Sequence, residues 1–195
     1  VHLLVTADDA EALPRTMQSL GRRYVRHVNA TYRRTGTLWE GRYRAAPIEA
    51  DSYFLTCCRY IELNPVRARM VAHPRDYAGS GAGARAESAA GSGGPWSSWA
   101  AHAQGAADAL VADHALYRAL GRSAEDRQAA YRALFRAALA EDFVAALRAA
   151  TNGGWALGGE RFARKIAKIA GRRAAPLPKG RPRKEQAAER QGKLL

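Results

Sequence analysis

A chain of 195 residues, 47% of them apolar, can hold one ordinary domain with extensions or two small ones, and 31 Lys and Arg against 18 Asp and Glu leave it at +13. No apolar run approaches the roughly 20 residues of a membrane helix, and the apolar run His2–Val5 is too short for a signal-peptide core. The only two cysteines, Cys57 and Cys58, are adjacent, which excludes a disulfide framework and suits a reducing cytoplasm.

His2–Val5 reads as a short strand with a histidine at its edge, followed by a turn at Asp8-Asp9 that offers acidic caps for a helix. That helix is predicted from about Ala12 to Tyr32, because Met17, Leu20, Tyr24, Val28 and Tyr32 recur at three- and four-residue spacing. Arg15, Arg22, Arg23, Arg26 and Arg33 line its other face, and Pro14 fits its first turn. Between Gly36 and Gly41 lies a short Thr-Leu-Trp-Glu segment, and Tyr43–Ile48 reads as the next strand. In Leu38–Arg44, Trp39 and Tyr43 among Arg42 and Arg44 suit base stacking and backbone contact, while Trp39 equally fits a core anchor. Asp51-Ser52 caps a helix predicted through about Leu63, with Phe54, Leu55 and Cys58 buried. Strand, helix, paired strands and helix imply an α+β sheet with helices on one face.

Tyr60 and Asn64 close that helix, and residues four apart share a helix face with Cβ atoms about 5–6 Å apart. A phenol and an amide there could act at one point, the phenol as nucleophile once a base, a metal or an activated electrophile assists it. The same spacing also fits a plain helix end at the Asn64-Pro65 break. Arg59, Arg67 and Arg69 flank the tyrosine and could hold phosphates or simply be solvated; Glu62 lies on a different face and is not assigned as a base. His27, His73, His102 and His114 have no metal-like spacing and read as surface or structural residues.

Gly79–Pro95 is rich in Gly, Ala and Ser and reads as a flexible linker. Beyond it, from Trp96, helices are predicted over Ala115–Leu120, Glu125–Ala140, Glu141–Ala150 and Glu160–Ala170, with Tyr131, Leu134, Phe135 and Leu139 on one apolar face. The last of these helices sets bases opposite Phe162, Ile166 and Ile169, as a groove-binding helix or an amphipathic surface helix would. Residues 161–195 carry 12 bases against 2 acids, a net of +10, the composition of a polyanion-binding arm and most often one for nucleic acid. Within it Lys179-Gly180-Arg181-Pro182-Arg183-Lys184 resembles an AT-hook core, whose arginines enter a narrow A·T minor groove.

The opening His2-Leu3-Leu4-Val5, the stretch Arg34-Thr-Gly-Thr-Leu-Trp-Glu-Gly-Arg-Tyr-Arg44 and the run Tyr60-Ile-Glu-Leu-Asn-Pro-Val-Arg-Ala68 together resemble the HUH-class single-tyrosine transposases, in particular the REP-associated ones. The resemblance spans about Val1–Val71 and implies a ferredoxin-like HUH core over residues 1–78, then the linker 79–95, a helical DNA-binding or accessory region 96–173 and a basic tail 174–195. It implies that Tyr60 attacks a DNA phosphate, leaving a 5′-phosphotyrosine and a free 3′-hydroxyl, and that His2 and Asn64 hold Mg²⁺ or Mn²⁺. It puts a further histidine two residues before His2, so the chain is expected to lack the first strand of that core. Arg42, Arg44, Arg59, Arg67, Lys179, Arg181, Arg183 and Lys184 are the expected DNA contacts. The implied partner is single-stranded or hairpin DNA, including repeated extragenic palindromes, in the bacterial cytoplasm at the nucleoid and without a membrane; a homodimer is compatible with it. A DNA-binding or regulatory protein that has lost cleavage is the alternative.

Overall fold

The computed structural model describes residues 1–77 and 96–177. Among them the elements are helical: α1 Ala12–Thr31, α2 Ala50–Glu62, α3 Asn64–Arg67, α4 Trp99–Gln104, α5 Ala115–Arg118, α6 Ala124–Ala133, α7 Glu141–Gly153 and α8 Glu160–Ala170, with single 3₁₀ turns at Pro74–Asp76 and Leu134–Arg136. The expected α+β ferredoxin-like core is not what these residues build, because no sheet forms among them. Ile48 and Leu157 make an isolated parallel bridge. Its bonds run from Leu157 N–H to Pro47 O (2.8 Å) and from Glu49 N–H to Leu157 O (2.8 Å).

The reason is local. Pro47 has no N–H to give a ladder, so the predicted strand Tyr43–Ile48 makes a single bridge at its end. At the opening, Leu4 alone turns inward while Val1, Leu3 and Val5 stay exposed. An extended segment without a paired neighbour leaves its backbone groups to water and gains nothing from strand geometry.

The core wraps α2. Cys58 packs with Trp99, Ala103, Tyr117 and Tyr131, supported by Phe54, Leu55, Leu134 and Phe135. Its neighbour Cys57 turns to a second cluster with Ala150 and Leu157, supported by Ile48, Tyr53, Phe143 and Leu147. Successive helical residues differ by about 100°, so adjacent cysteines can serve two clusters, and Leu4 touches both. Trp99 meets Phe135 edge-on at 4.6 Å between ring centroids, and Tyr117 meets Tyr131 at 5.5 Å.

Local chemistry sets the helix ends. Asp9 Oδ1 accepts Glu11 N–H at 2.7 Å just before α1. Ser123 and Asp126 form a reciprocal capping box at the start of α6, at 3.0 and 3.3 Å. The predicted helix Glu125–Ala140 breaks into α6 and the turn 134–136, after which Ala137 is extended. Gly158 lets α8 close on α2: a Cβ there would lie 2.9 Å from Glu49 Cβ. Ala174, at the start of the predicted tail, is buried and accepts a bond from Ala156 N–H at 2.8 Å. By contrast α1 has no buried residue, and Leu20 and Tyr24 are half exposed. No described helix is long and apolar enough to cross a membrane.

Candidate functional site

Tyr60 occupies the last turn of α2 and Asn64 opens α3. Pro65 cannot donate, but Leu63 N–H bonds Arg59 O at 2.8 Å and Ala68 N–H bonds Asn64 O at 2.9 Å, so the chain turns only slightly between the helices. Both side chains therefore stay on one face, and His2 meets them there. The ring nitrogens of His2 lie 3.2 and 3.3 Å from Asn64 Nδ2, and its ring meets Tyr60 edge-on at 6.0 Å. Arg67 closes the far side, its guanidinium carbon 5.1 Å from the centre of the Tyr60 ring. Tyr60 is left 7% exposed. Desolvation by burial holds the His2 imidazole below its ordinary value, so the neutral ring keeps a lone pair at neutral pH.

His2 and Asn64 fit a hard cation as part of its shell. A half-turn of the Asn64 amide presents Oδ1 instead of Nδ2 to the same point. An octahedral Mg²⁺ or Mn²⁺ takes about six donors and usually keeps several waters, so an imidazole and an amide oxygen would leave the other positions to water and phosphate oxygen.

The predicted DNA contacts are not gathered at this point. Arg42 is exposed on the loop before α2. Arg44 donates to Asn152 Oδ1 at the end of α7. Arg59 turns into the protein, donating to Ala137 O and lying 6.0 Å from the Phe135 ring, with its Nε buried and unpaired. Arg67 is the one that sits on Tyr60. Trp39 stacks on Tyr24 of α1 at 5.7 Å and stays half exposed, neither a core anchor nor a free platform. Lys179, Arg181, Arg183 and Lys184, and the segment 79–95, lie outside the described residues.

On the opposite face of α2 the structure holds a polar group that sequence reasoning passed over. Glu62 is 2% exposed, and its carboxylate accepts from Ser98 Oγ at 2.6 Å and from Tyr131 OH at 2.9 Å, with His102 Nδ1 at 3.3 Å. Tyr117 OH in turn donates to His102 O at 2.7 Å. Burial and the nearby Glu62 charge push Tyr131 well above its ordinary value. Burial first, then Glu62, pushes the Cys58 thiol up to about 12. These two groups stay protonated, which suits structural donors rather than nucleophiles. A signal was present in the sequence: Leu55, Cys58 and Glu62 follow the three- and four-residue spacing of one buried stripe. His73 and His114 likewise act as local caps, accepting Arg75 N–H and Leu116 N–H at 3.1 Å each. Set against known protein families, curated proteins and solved structures, the chain has no match.

Proposed function

We propose that this chain acts on DNA as a single-tyrosine strand transferase, a transposase that cuts and rejoins single-stranded or hairpin DNA. The observation that carries the reading is the meeting of His2 with Tyr60 and Asn64, residues about sixty positions apart in the chain whose sequence context resembles the HUH-type single-tyrosine enzymes. The reading rests on the site and not on the fold, since the described residues do not form the sheet of that family.

The Tyr60 oxygen would attack a backbone phosphorus, forming a phosphotyrosine as the bond to the 3′-oxygen breaks. The phenol proton goes to solvent, and the departing oxygen leaves as a 3′-hydroxyl. Reversal by another 3′-hydroxyl rejoins strands without ATP, because the ester keeps the phosphodiester energy. Arg67, over the ring, is placed to draw a phosphate to the tyrosine. A Mg²⁺ or Mn²⁺ ion held by His2 and Asn64 would supply Lewis-acid polarisation of the phosphate. The working compartment in this reading is the bacterial cytoplasm at the nucleoid, with repeated palindromes as targets and a homodimer as a compatible assembly.

A second reading, a DNA-binding protein that does not cleave, is favoured by one observation: His2 and Arg67 cover Tyr60, leaving it 7% exposed. One assay decides between them. Incubation with labelled hairpin oligonucleotides and Mn²⁺ should give a covalent adduct that Tyr60→Phe abolishes. Retention of the oligonucleotide without an adduct selects the second reading, and an adduct that persists in Tyr60→Phe removes this tyrosine from the chemistry.

A further inference from the structure

The helix α1 has no buried residue and contributes to neither cluster of the core. One stripe along it is nonetheless apolar: Leu13, Met17, Leu20 and Tyr24 alternate at four- and three-residue steps, the a/d spacing of a two-helix seam. Leu20 is 51% exposed and Tyr24 50%. We propose that this stripe is a self-association surface, on which α1 of a second copy of the chain packs antiparallel. The homodimer that the DNA-processing reading allows would gain its surface here, but the inference uses none of His2, Tyr60 or Asn64 and stands without that reading.

The rest of the chain offers little to cover the stripe. Residues 78–95 have only alanine and proline as apolar side chains, and residues 178–195 set Leu194 and Leu195 among six bases. The placement of charge argues against nucleic acid on this face. Arg15, Arg22 and Arg26 stand about 150–180° around the helix from the stripe, and Arg23 alone flanks it. A polyanion is drawn to the basic side, which leaves the apolar side to a surface as apolar as itself.

The stripe is complementary to itself. An antiparallel pair centred between Gln18 and Ser19 sets Leu13 opposite Tyr24 and Met17 opposite Leu20, each layer occurring twice, as a two-fold axis requires. The same register puts Arg23 at the level of Pro14 and not of a second Arg23, so like charges do not meet. Close approach is open at Gly21, where a Cβ would meet only Trp39 Nε1 beyond its own helix, at 3.7 Å. Trp39, half exposed and stacked on Tyr24 at 5.7 Å, widens the apolar side. A 20-residue helix is about 30 Å long, and one such pair buries less than the roughly 800 Å² per partner of a standard interface. The net charge of +13 adds repulsion. The dimer is therefore weak, with a Kd of roughly 10–100 µM, and salt tightens it by screening.

The test is sedimentation velocity of the full chain from about 1 to 500 µM, a range set by the small area of one helix pair. A monomer should pass into a dimer, at lower concentration as sodium chloride rises. Leu20→Glu should weaken association at least about tenfold, because it would bury a carboxylate in the seam. Leu20 is half exposed in the monomer, so circular dichroism of that variant should match the wild type. Arg22→Gln, on the far side, should not weaken association, and Tyr60→Phe should associate like the wild type, so the surface and the cleavage reading can fail separately. Orientation is read by mild oxidation. The double variant Leu13→Cys/Tyr24→Cys should give a disulfide-linked dimer and neither single variant should, since in an antiparallel pair neither position meets its own copy. A monomer throughout the range, a dimer untouched by Leu20→Glu, or crosslinking through a single introduced cysteine would overturn the proposal. So would a monomeric wild type whose binding of labelled oligothymidylate is lost in Leu20→Glu, which would give the stripe to nucleic acid.

Discussion

Replacing Glu62 with alanine should destabilise the protein by about 3–5 kcal/mol, the usual cost of removing one member of a buried polar or charged cluster. The magnitude follows from what is left behind. Ser98 Oγ at 2.6 Å, Tyr131 OH at 2.9 Å and His102 Nδ1 at 3.3 Å all address this one carboxylate, whose residue is 2% exposed. Each buried donor stripped of its acceptor costs about 1–3 kcal/mol, reduced where a hydroxyl can rotate to a new partner. Glu62→Gln keeps one acceptor oxygen and the same volume, so it should lose less, about 1–2 kcal/mol. Urea unfolding followed by circular dichroism measures this directly. With a slope near 2 kcal/mol/M, the alanine midpoint should fall by roughly 2 M. Because the donors lie on α4 and its N-terminal edge and on α6, while Glu62 ends α2, residues on both sides of 78–95 should lose protection in one transition. A cycle with Tyr131→Phe should give a coupling energy above about 1 kcal/mol. An alanine variant within about 1 kcal/mol of wild type would refute the reasoning, since the carboxylate would then not be holding these donors.

Alkali should destabilise the protein through its two cysteines. Burial raises Cys57 to about 11 and Cys58 to about 12 from an ordinary 9.0, so between those limits the unfolded thiols ionise while the native ones keep their protons. Stability from the thiols is then intact below pH 9 and lost as pH rises, by about 1.4 kcal/mol per thiol per pH unit, and Cys57→Ala should roughly halve the slope of unfolding free energy against pH between about pH 9 and 10, above which the raised Tyr131 adds its own loss. Deleting residues 178–195 removes six Lys and Arg, which should weaken duplex binding and flatten log K against log salt by up to about 5. The cut belongs after Leu177 because Ala174 is buried. Within that tail, Arg181→Ala should weaken A·T-rich duplex more than G·C-rich duplex; equal losses would reduce Lys179–Lys184 to plain phosphate contacts.

The helices were legible because their signals are local. Met17, Leu20, Tyr24 and Val28 announce α1 by spacing alone, whereas Asp9 does not cap it: its carboxylate accepts Glu11 N–H in the turn before the helix, and no side chain caps the first turn. The strands failed because a strand is a relation between segments: His2–Val5 has the composition of one but no paired neighbour among the described residues, and Pro47 spoils the next candidate. Periodicity also shows which face of a helix is apolar without showing whether anything covers it, and on α1 Leu20 and Tyr24 stay half exposed. At the site, the Tyr60–Asn64 spacing anticipated a shared face, and His2 meets them there. Arg59 was read from its charge, and charge does not reveal that a side chain will turn inward to Ala137 O. Glu62 drew no role because it lies on a different face from Tyr60 and Asn64, although its place in the 55–58–62 stripe marks that other face as buried.

The two faces of α2 are mechanically one object, and that has a consequence for the site. Glu62 stands two residues after Tyr60, about 200° around the helix, so the carboxylate and the phenol leave α2 on nearly opposite sides. Three donors from the helical region beyond residue 95 clamp the Glu62 side. On the other side, His2 and Arg67 touch Tyr60 with no hydrogen bond to its hydroxyl among the described contacts. The last turn of α2 is thus fixed from behind by a buried carboxylate, while Tyr60 is covered in front by ring and cation contacts alone. Under the proposed reading of Tyr60 as nucleophile, the buried carboxylate would hold it in register, since no sheet forms among the described residues.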